Sequence, residues 1–351
     1  LVCILAPVSL VAVHIHRSPT FSIEDEEAHY DYVQRVAEGS IPRLGQQLLP
    51  STNQEVRCVG RPPEAFTLPP CHGESRAELD SFYHSVNNAQ YEAQQPPLYY
   101  AVTAVLRWPF IHILGIHRLP GTRITGAIWL AAGLLFMWLA AVILGFSWEL
   151  AAAAALFVAA APNVLLASSI VNDDAAAVLA GGLVAALGAA AWRMPNRLPW
   201  WMFALGGFVV VALKTTFLLP VIPVAGLLAI ATWSTRARSE GLISALWTSL
   251  RRWLPQGGAL LLGGLAAAVI WSIIFRQLAL VNLKTFVPLQ LAGSLQTSIG
   301  GLMGNAVAMF SPFTGSPAPN FQWTITGAVP STIWSSSLES LDGELIEMLV
   351  I

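Results

Sequence analysis

Ser22-Ile23-Glu24-Asp25-Glu26-Glu27-Ala28-His29-Tyr30-Asp31-Tyr32 stands just beyond an apolar run, Leu1 to Ile15, that closes on His16-Arg17. Five carboxylates and one histidine therefore gather where a membrane helix would surface. Ser22, with Asp25 and Glu26 behind it, reads as a helix N-cap followed by acids in the first turn, where the helix dipole favours negative charge. On such a helix Asp25 and His29 are four apart and Glu26 and His29 three apart, so either pair can share a face. An acid beside an imidazole suits a general base or a metal ligand. The plainer reading is an acidic cap on a solvated surface helix, and the rest of the chain bears on the choice.

Of 351 residues, 55% are hydrophobic and 11% charged, against about 25% charged in a soluble domain. Several apolar runs reach or approach the roughly 20 residues that cross a bilayer. The chain reads as an all-α polytopic membrane protein with the lipid bilayer as its first partner. No stretch interleaves basic and aromatic residues as nucleic-acid binding needs, so no nucleic-acid partner is expected. Leu1 lies inside one apolar run and Ile351 inside another, so the sequence reads as a fragment of a longer chain.

Four segments are expected. Residues 1–16 form a first transmembrane helix. Residues 17–95 form an extracytoplasmic loop with interfacial helices, holding 12 of the 20 acidic residues. In it Cys58 and Cys71 lie thirteen apart in a Pro- and Gly-rich stretch, which suggests a disulfide and an oxidising compartment, two free thiols being the alternative. Cys3 reads as a small apolar filler. Residues 96–276 form a transmembrane helix bundle, with runs at about 98–115, 124–146, 148–170, 175–192, 199–213, 216–233 and 256–275. Residues 277–351 form a second outer loop and the start of a further apolar segment.

Tyr91-Glu92-Ala93-Gln94-Gln95-Pro96-Pro97-Leu98-Tyr99-Tyr100 leads into the bundle. Its paired prolines stop one helix and can begin the next, and its tyrosines suit an aromatic belt. The Ala-rich tracts at 151–161 and 184–191 read as close helix packing.

Arg193 and Arg197 flank one short loop, and Arg236, Arg238, Arg251 and Arg252 flank another. The positive-inside rule puts both in the cytoplasm and puts Asp173-Asp174, Lys214 and Arg276 outside. Three apolar runs separate the first outer loop from Asp173, so either one of them fails to cross or the orientation is the reverse. The run 98–115, interrupted by Arg107-Trp108-Pro109 and His112, is the weakest and reads as a tilted hairpin or an interfacial helix.

Acids at a membrane edge are costly and point to function. Asn172-Asp173-Asp174 ends one apolar run and begins another with no polar loop around it. It reads either as a helix cap or as part of a site. Lys214 interrupts the run Trp200 to Trp233, and Arg276 and Lys284 also fall on the outer side. Outward cations beside outward carboxylates suit an anionic lipid headgroup such as a phosphate, the alternative being snorkelling to ordinary phospholipid.

An acid–histidine helix after the first span, then Gln95-Pro96-Pro97-Leu98-Tyr99-Tyr100, then Asn172-Asp173-Asp174, is an order that resembles the GT-C superfamily of membrane glycosyltransferases, over about residues 1–235. Asp-Glu-Glu-Ala-His-Tyr and Asn-Asp-Asp are most similar to its DUF2142-like branch, and the general layout is shared with the protein mannosyltransferase and aminoarabinose-transferase branches. The resemblance implies a GT-C-type transmembrane helix bundle with a large first extracytoplasmic loop, multi-pass in the plasma membrane, its active face outside. It implies a polyprenyl-phosphate sugar donor and a glycan, lipid or protein acceptor. Asp25 matches the catalytic acid, with Glu26 its neighbour; Asp173, with Asp174, matches the second acidic motif. Asp25 would then deprotonate the acceptor, and the sugar would be transferred with inversion. His29 would orient Asp25 or share a divalent metal with Glu26; branches of the superfamily differ in using one. Lys214 and Arg276 enter as donor-binding residues from charge placement, not from the resemblance. A transporter or flippase for a lipid-linked substrate, or a scaffold whose outer loop binds a partner, are the other classes the same residues allow.

Overall fold

The computed structural model describes residues 2–22, 25–60, 68–73, 75, 78–79, 82, 89–194, 197–234, 250–251 and 253–280. The expectations for Glu24, Lys284, the basic loop at Arg236, Arg238 and Arg252, and the stretch 281–351 fall outside the described residues. The site lies within one unit, built from Leu1–Pro62, Leu68–Ala160 and Val164–Leu280.

Among the described residues regular structure is helical: α1 (Val2–Arg17), α2 (Glu26–Ala37), α3 (Pro50–Val59), α4 (Leu98–His112), α5 (Arg118–Leu144), α6 (Trp148–Ala159), α7 (Pro162–Ser169), α8 (Ala177–Arg193), α9 (Trp200–Leu213), α10 (Leu218–Ser234) and α11 (Ala259–Leu278). Among the described residues three segments are long and apolar enough to cross a membrane: α5, Asp173–Arg193 and Leu254–Leu278. The pair α6–α7 makes a fourth if its 69° bend lies within one span. The run 148–170 is thus broken, because Pro162 opens α7 and has no N–H to continue α6. Large apolar side chains point outward along these helices, Phe157 at 69% exposure and Leu262 at 62%. That pattern suits lipid rather than water and supports a membrane protein.

Side-chain bonds show which helix ends meet. The Ser18 carbonyl, just past α1, accepts from Arg123 near the start of α5. The amide of Val171, just before Asp173, donates to Glu26 at the start of α2. At the far end, Arg193 of α8 donates to the carbonyl of Leu144, the last residue of α5. Thus α5 and α8 run parallel, and α6–α7 carries the chain back between them.

In α4, Thr103 accepts from Trp129 and Arg107 donates to Thr122, so α4 runs antiparallel to the first turns of α5 and ends beside its start. Of the three runs before Asp173, α4 is therefore the one that does not carry the chain from end to end. It is a single helix, not a hairpin. Arg107 does not interrupt it, because the guanidinium turns inward and donates to Gln34 at 2.9 Å.

Small residues set the helix spacing. Ala151, Ala155 and Ala159 bury one stripe of α6, and Ala186, Ala189 and Ala190 a face of α8. Gly207 of α9 lies against the backbone of Leu260, and Gly263 of α11 against that of Ala204. A disulfide joins Cys58 and Cys71, and Cys3 is buried as an apolar residue.

Candidate functional site

The site is built on α2, whose two inward carboxylates fix it in place. Glu26 is fully buried and receives Arg123 at 2.7 and 2.6 Å, the Ser22 amide at 2.7 Å and the Val171 amide at 2.8 Å. Charge-assisted, two-pronged pairs of this kind are strong and directional. With four donors on two oxygens, Glu26 has no open position for a metal or an acceptor. The expectation that it pairs with His29 is corrected: it is an anchor joining α2, α5 and the segment before Asp173. Asp31 does the same work one turn on, accepting from Arg35, the Leu49 amide, Thr52 and Gln90.

Ser22 is not the N-cap. α2 begins at Glu26, and Asp25 holds the cap position with φ 59° and ψ 14°, without a side-chain cap bond. Asp25 is the only non-glycine residue at positive φ among the described residues. That left-handed conformation is costly for an L-residue, and such strain collects at functional sites. Its side chain is exposed and accepts from the Tyr91 hydroxyl at 2.6 Å. Burial, then the nearby carboxylates of Asp25 and Glu27, hold the Tyr91 phenol well above its usual pKa, so it stays a donor. Asp25 and His29 therefore do not pair by their side chains; Asp25 turns to Tyr91, and His29 turns inward.

His29 is buried, its Nδ1 sharing a 2.8 Å hydrogen bond with the Tyr100 hydroxyl. Tyr100 is clamped between rings, stacking on Tyr32 at 3.7 Å and packing edge-on against Tyr99. Tyr99 and Tyr100 are thus interior residues rather than an aromatic belt, at 1% and 0% exposure. The prolines place them: the turn Glu92–Gln94 ends, Gln95 is extended, and α4 starts after Pro97.

The acid facing His29 is Glu92, its Oε2 3.8 Å from Nε2, too far for a hydrogen bond. The wholly buried Gln90 positions it, accepting from the Glu92 amide while donating to the Ala28 carbonyl and to Asp31. Burial pushes the Glu92 carboxyl up, Asp173 and Asp25 push the same way, and His29 and Lys214 oppose them. Sequence reasoning missed Glu92 because it sits among other loop acids; its position just ahead of Gln95-Pro96-Pro97 was the available signal.

Asp173 completes the group. Single ligand atoms of His29, Glu92 and Asp173 lie within 4.8 Å of one another, and all three residues are buried. The 22–32 segment reaches Asp173 here through His29, and among the described residues none of its carboxylates belongs to the group. Asn172 caps the turn Asp173–Ala176 by accepting from the Asp174 amide, leaving the Asp173 side chain free to point inward. Lys214, extended between α9 and the turn Thr215–Phe217, sets Nζ 2.8 Å from Asp173 and 2.6 Å from Asp174. It is therefore already paired with carboxylates instead of standing open to an anion. Arg276 is exposed on the last turn of α11 and, among the described residues, makes no ion pair with the acid cluster. From the same helix, Trp271 donates to the Gln94 carbonyl at 2.6 Å.

An apolar crevice of about 370 Å³, lined by Trp200, Ala204, Leu254, Pro255, Ala259 and Leu262, lies at the opposite end of α9 from Lys214. It holds no titratable side chain and has no part in the acid–histidine site. Comparison of the chain with family models, curated proteins and solved structures finds no match.

Proposed function

We propose that this chain transfers a sugar from a polyprenyl-phosphate donor to an acceptor hydroxyl or amine at the extracytoplasmic face of the plasma membrane, in a multi-pass GT-C-type bundle. The observation that carries the reading is the convergence of α2, through His29, and Asn172-Asp173-Asp174 on one site, with Asp25 strained and exposed at the N-cap of α2. The Cys58–Cys71 disulfide in the same loop supports an oxidising outer side.

In this reading Asp25 takes the proton of the acceptor. The acceptor oxygen or nitrogen attacks the anomeric carbon from the face opposite the lipid phosphate. The bond from that carbon to the phosphate oxygen breaks, the phosphate leaves with the electron pair, and the product is inverted. Tyr91 aims the carboxylate through its 2.6 Å hydrogen bond. General base catalysis of this kind contributes about 10²–10⁴-fold.

The test uses the chain in proteoliposomes with a panel of polyprenyl-phosphate sugars and an acceptor extract, following labelled sugar into product. Asp25→Asn should lower transfer by about 10²–10⁴-fold with folding unchanged. Transfer at the wild-type rate removes Asp25 as base. One observation favours a second reading, a transporter or flippase for the same lipid-linked substrate: the 69° break between α6 and α7, since transporters use broken helices. Movement of labelled donor across the bilayer, with no sugar transferred, selects it.

A further inference from the structure

We propose that His29, Glu92 and Asp173 bind one divalent cation of the Mn²⁺ or Zn²⁺ type. A cluster of acids alone would not carry this, but three independent features of the site do.

The first is donor geometry. Ligand atoms about 2.1 Å from one ion lie at most about 4.2 Å apart, and these three lie within 4.8 Å. A side-chain adjustment of under about an ångström brings them onto one ion by the same arithmetic. The 3.8 Å between His29 Nε2 and Glu92 Oε2 is too long for a direct bond and suits two atoms flanking a shared centre.

The second is what remains unsatisfied. Asp173 has no exposed surface, and its Oδ2 has no hydrogen-bond partner. A buried carboxylate oxygen without a partner is costly and calls for a cation. Charge points the same way. Among the described residues one ammonium, Lys214, pairs with both Asp173 and Asp174, and Glu92 has only His29 within ion-pair distance. A bound cation would add positive charge where these carboxylates gather.

The third is the support behind the imidazole. A metal-bound histidine typically donates its other N–H to an oxygen that fixes the ring. Tyr100 holds Nδ1 at 2.8 Å, leaving Nε2 toward the carboxylates. With the ion on Nε2, Nδ1 carries its proton and donates it to the Tyr100 oxygen. One nitrogen and two oxygens suit a first-row ion better than Ca²⁺, which takes oxygen ligands alone. Three protein ligands leave positions for water or a phosphate oxygen.

The experiment uses the tag-free chain in nanodiscs, stripped with EDTA and titrated with Mn²⁺. Free Mn²⁺ is followed by electron paramagnetic resonance, and ¹⁴N coupling to the bound ion by pulsed methods. Wild type should bind one Mn²⁺ per chain with a histidine ¹⁴N coupling, and Zn²⁺ should displace it. His29→Gln should remove the coupling. Glu92→Gln should weaken binding at least tenfold, and Tyr100→Phe about tenfold. No bound Mn²⁺ in wild type overturns the site without any variant needing to fold. So does bound Mn²⁺ with no ¹⁴N coupling, or a coupling that survives His29→Gln. The site stands apart from sugar transfer: bound ion with no transfer keeps the site and removes that activity, and transfer without an ion does the reverse.

Discussion

Glu26 and Arg123, 97 positions apart, close a two-pronged ion pair at 2.7 and 2.6 Å with both side chains shielded from solvent. Removing one partner of a buried pair leaves the other charge uncompensated and costs about 3–5 kcal/mol. Glu26→Gln should therefore lower the thermal midpoint in detergent sharply, and Arg123→Met should do the same. Any loss of activity should track the loss of folded protein. A Glu26→Gln chain of wild-type stability that has lost its activity would make Glu26 a participant in the chemistry instead of an anchor.

Asp25 behaves in the opposite way. Its φ of 59° is one that glycine adopts freely. Asp25→Gly should leave stability unchanged or raise it by up to about 1 kcal/mol, the relief of left-handed strain less the entropy of glycine. Asp25→Ala should lower stability, having neither the glycine freedom nor the Tyr91 bond. Both should lose sugar transfer. Thermal melts of the two variants, set beside their transfer rates, separate strain from catalysis; a clear destabilisation by glycine would mean that the Tyr91 bond outweighs the strain.

Residue type and order carried the outline of the site, and tertiary pairing supplied the rest. Asn172-Asp173-Asp174 and Lys214 were legible because charge inside an apolar run has few explanations. Glu92 was not, because an acid in a polar loop looks solvated until Gln90 and α2 bury it. Of four adjacent acids, Glu24, Asp25, Glu26 and Glu27, nothing local says which is the anchor; Arg123 decides for Glu26 from 97 positions away. Tyr99 and Tyr100 looked like an interfacial belt because aromatic residues beside an apolar run fit either place. Their role follows from α4 folding back along α5. The same fold-back accounts for the odd number of apolar runs before Asp173.

Helix spacing at α9 and α11 sets a different limit. A methyl added at Gly207 would run into the carbonyl of Leu260, and one at Gly263 into the carbonyl of Ala204. Both obstacles are backbone, so neither can swing aside. Gly207→Ala and Gly263→Ala should each cost about 1–3 kcal/mol as overpacking, read as a lower thermal midpoint in nanodiscs. Gly226→Ala on α10, where nothing lies within 4 Å, is the control and should be neutral or slightly stabilising. Equal behaviour of all three would mean that α9 and α11 do not pack backbone to backbone.

Lys214 links stability to the cation. Its ammonium, 2.8 Å from Asp173 and 2.6 Å from Asp174, neutralises part of a buried acid cluster and competes with any ion that Asp173 would bind. Lys214→Met leaves the Asp173 carboxylate unpaired, so the stripped variant should melt well below wild type. Adding Mn²⁺ should raise both midpoints, by the equivalent of about 2.7 kcal/mol where the ion reaches 100 times its Kd. The variant should bind more tightly and gain more at the same Mn²⁺ concentration, since the competing charge is gone. A smaller shift in Lys214→Met than in wild type would place Lys214 as a support of the ion site, holding Asp173 in position, and no longer as its competitor.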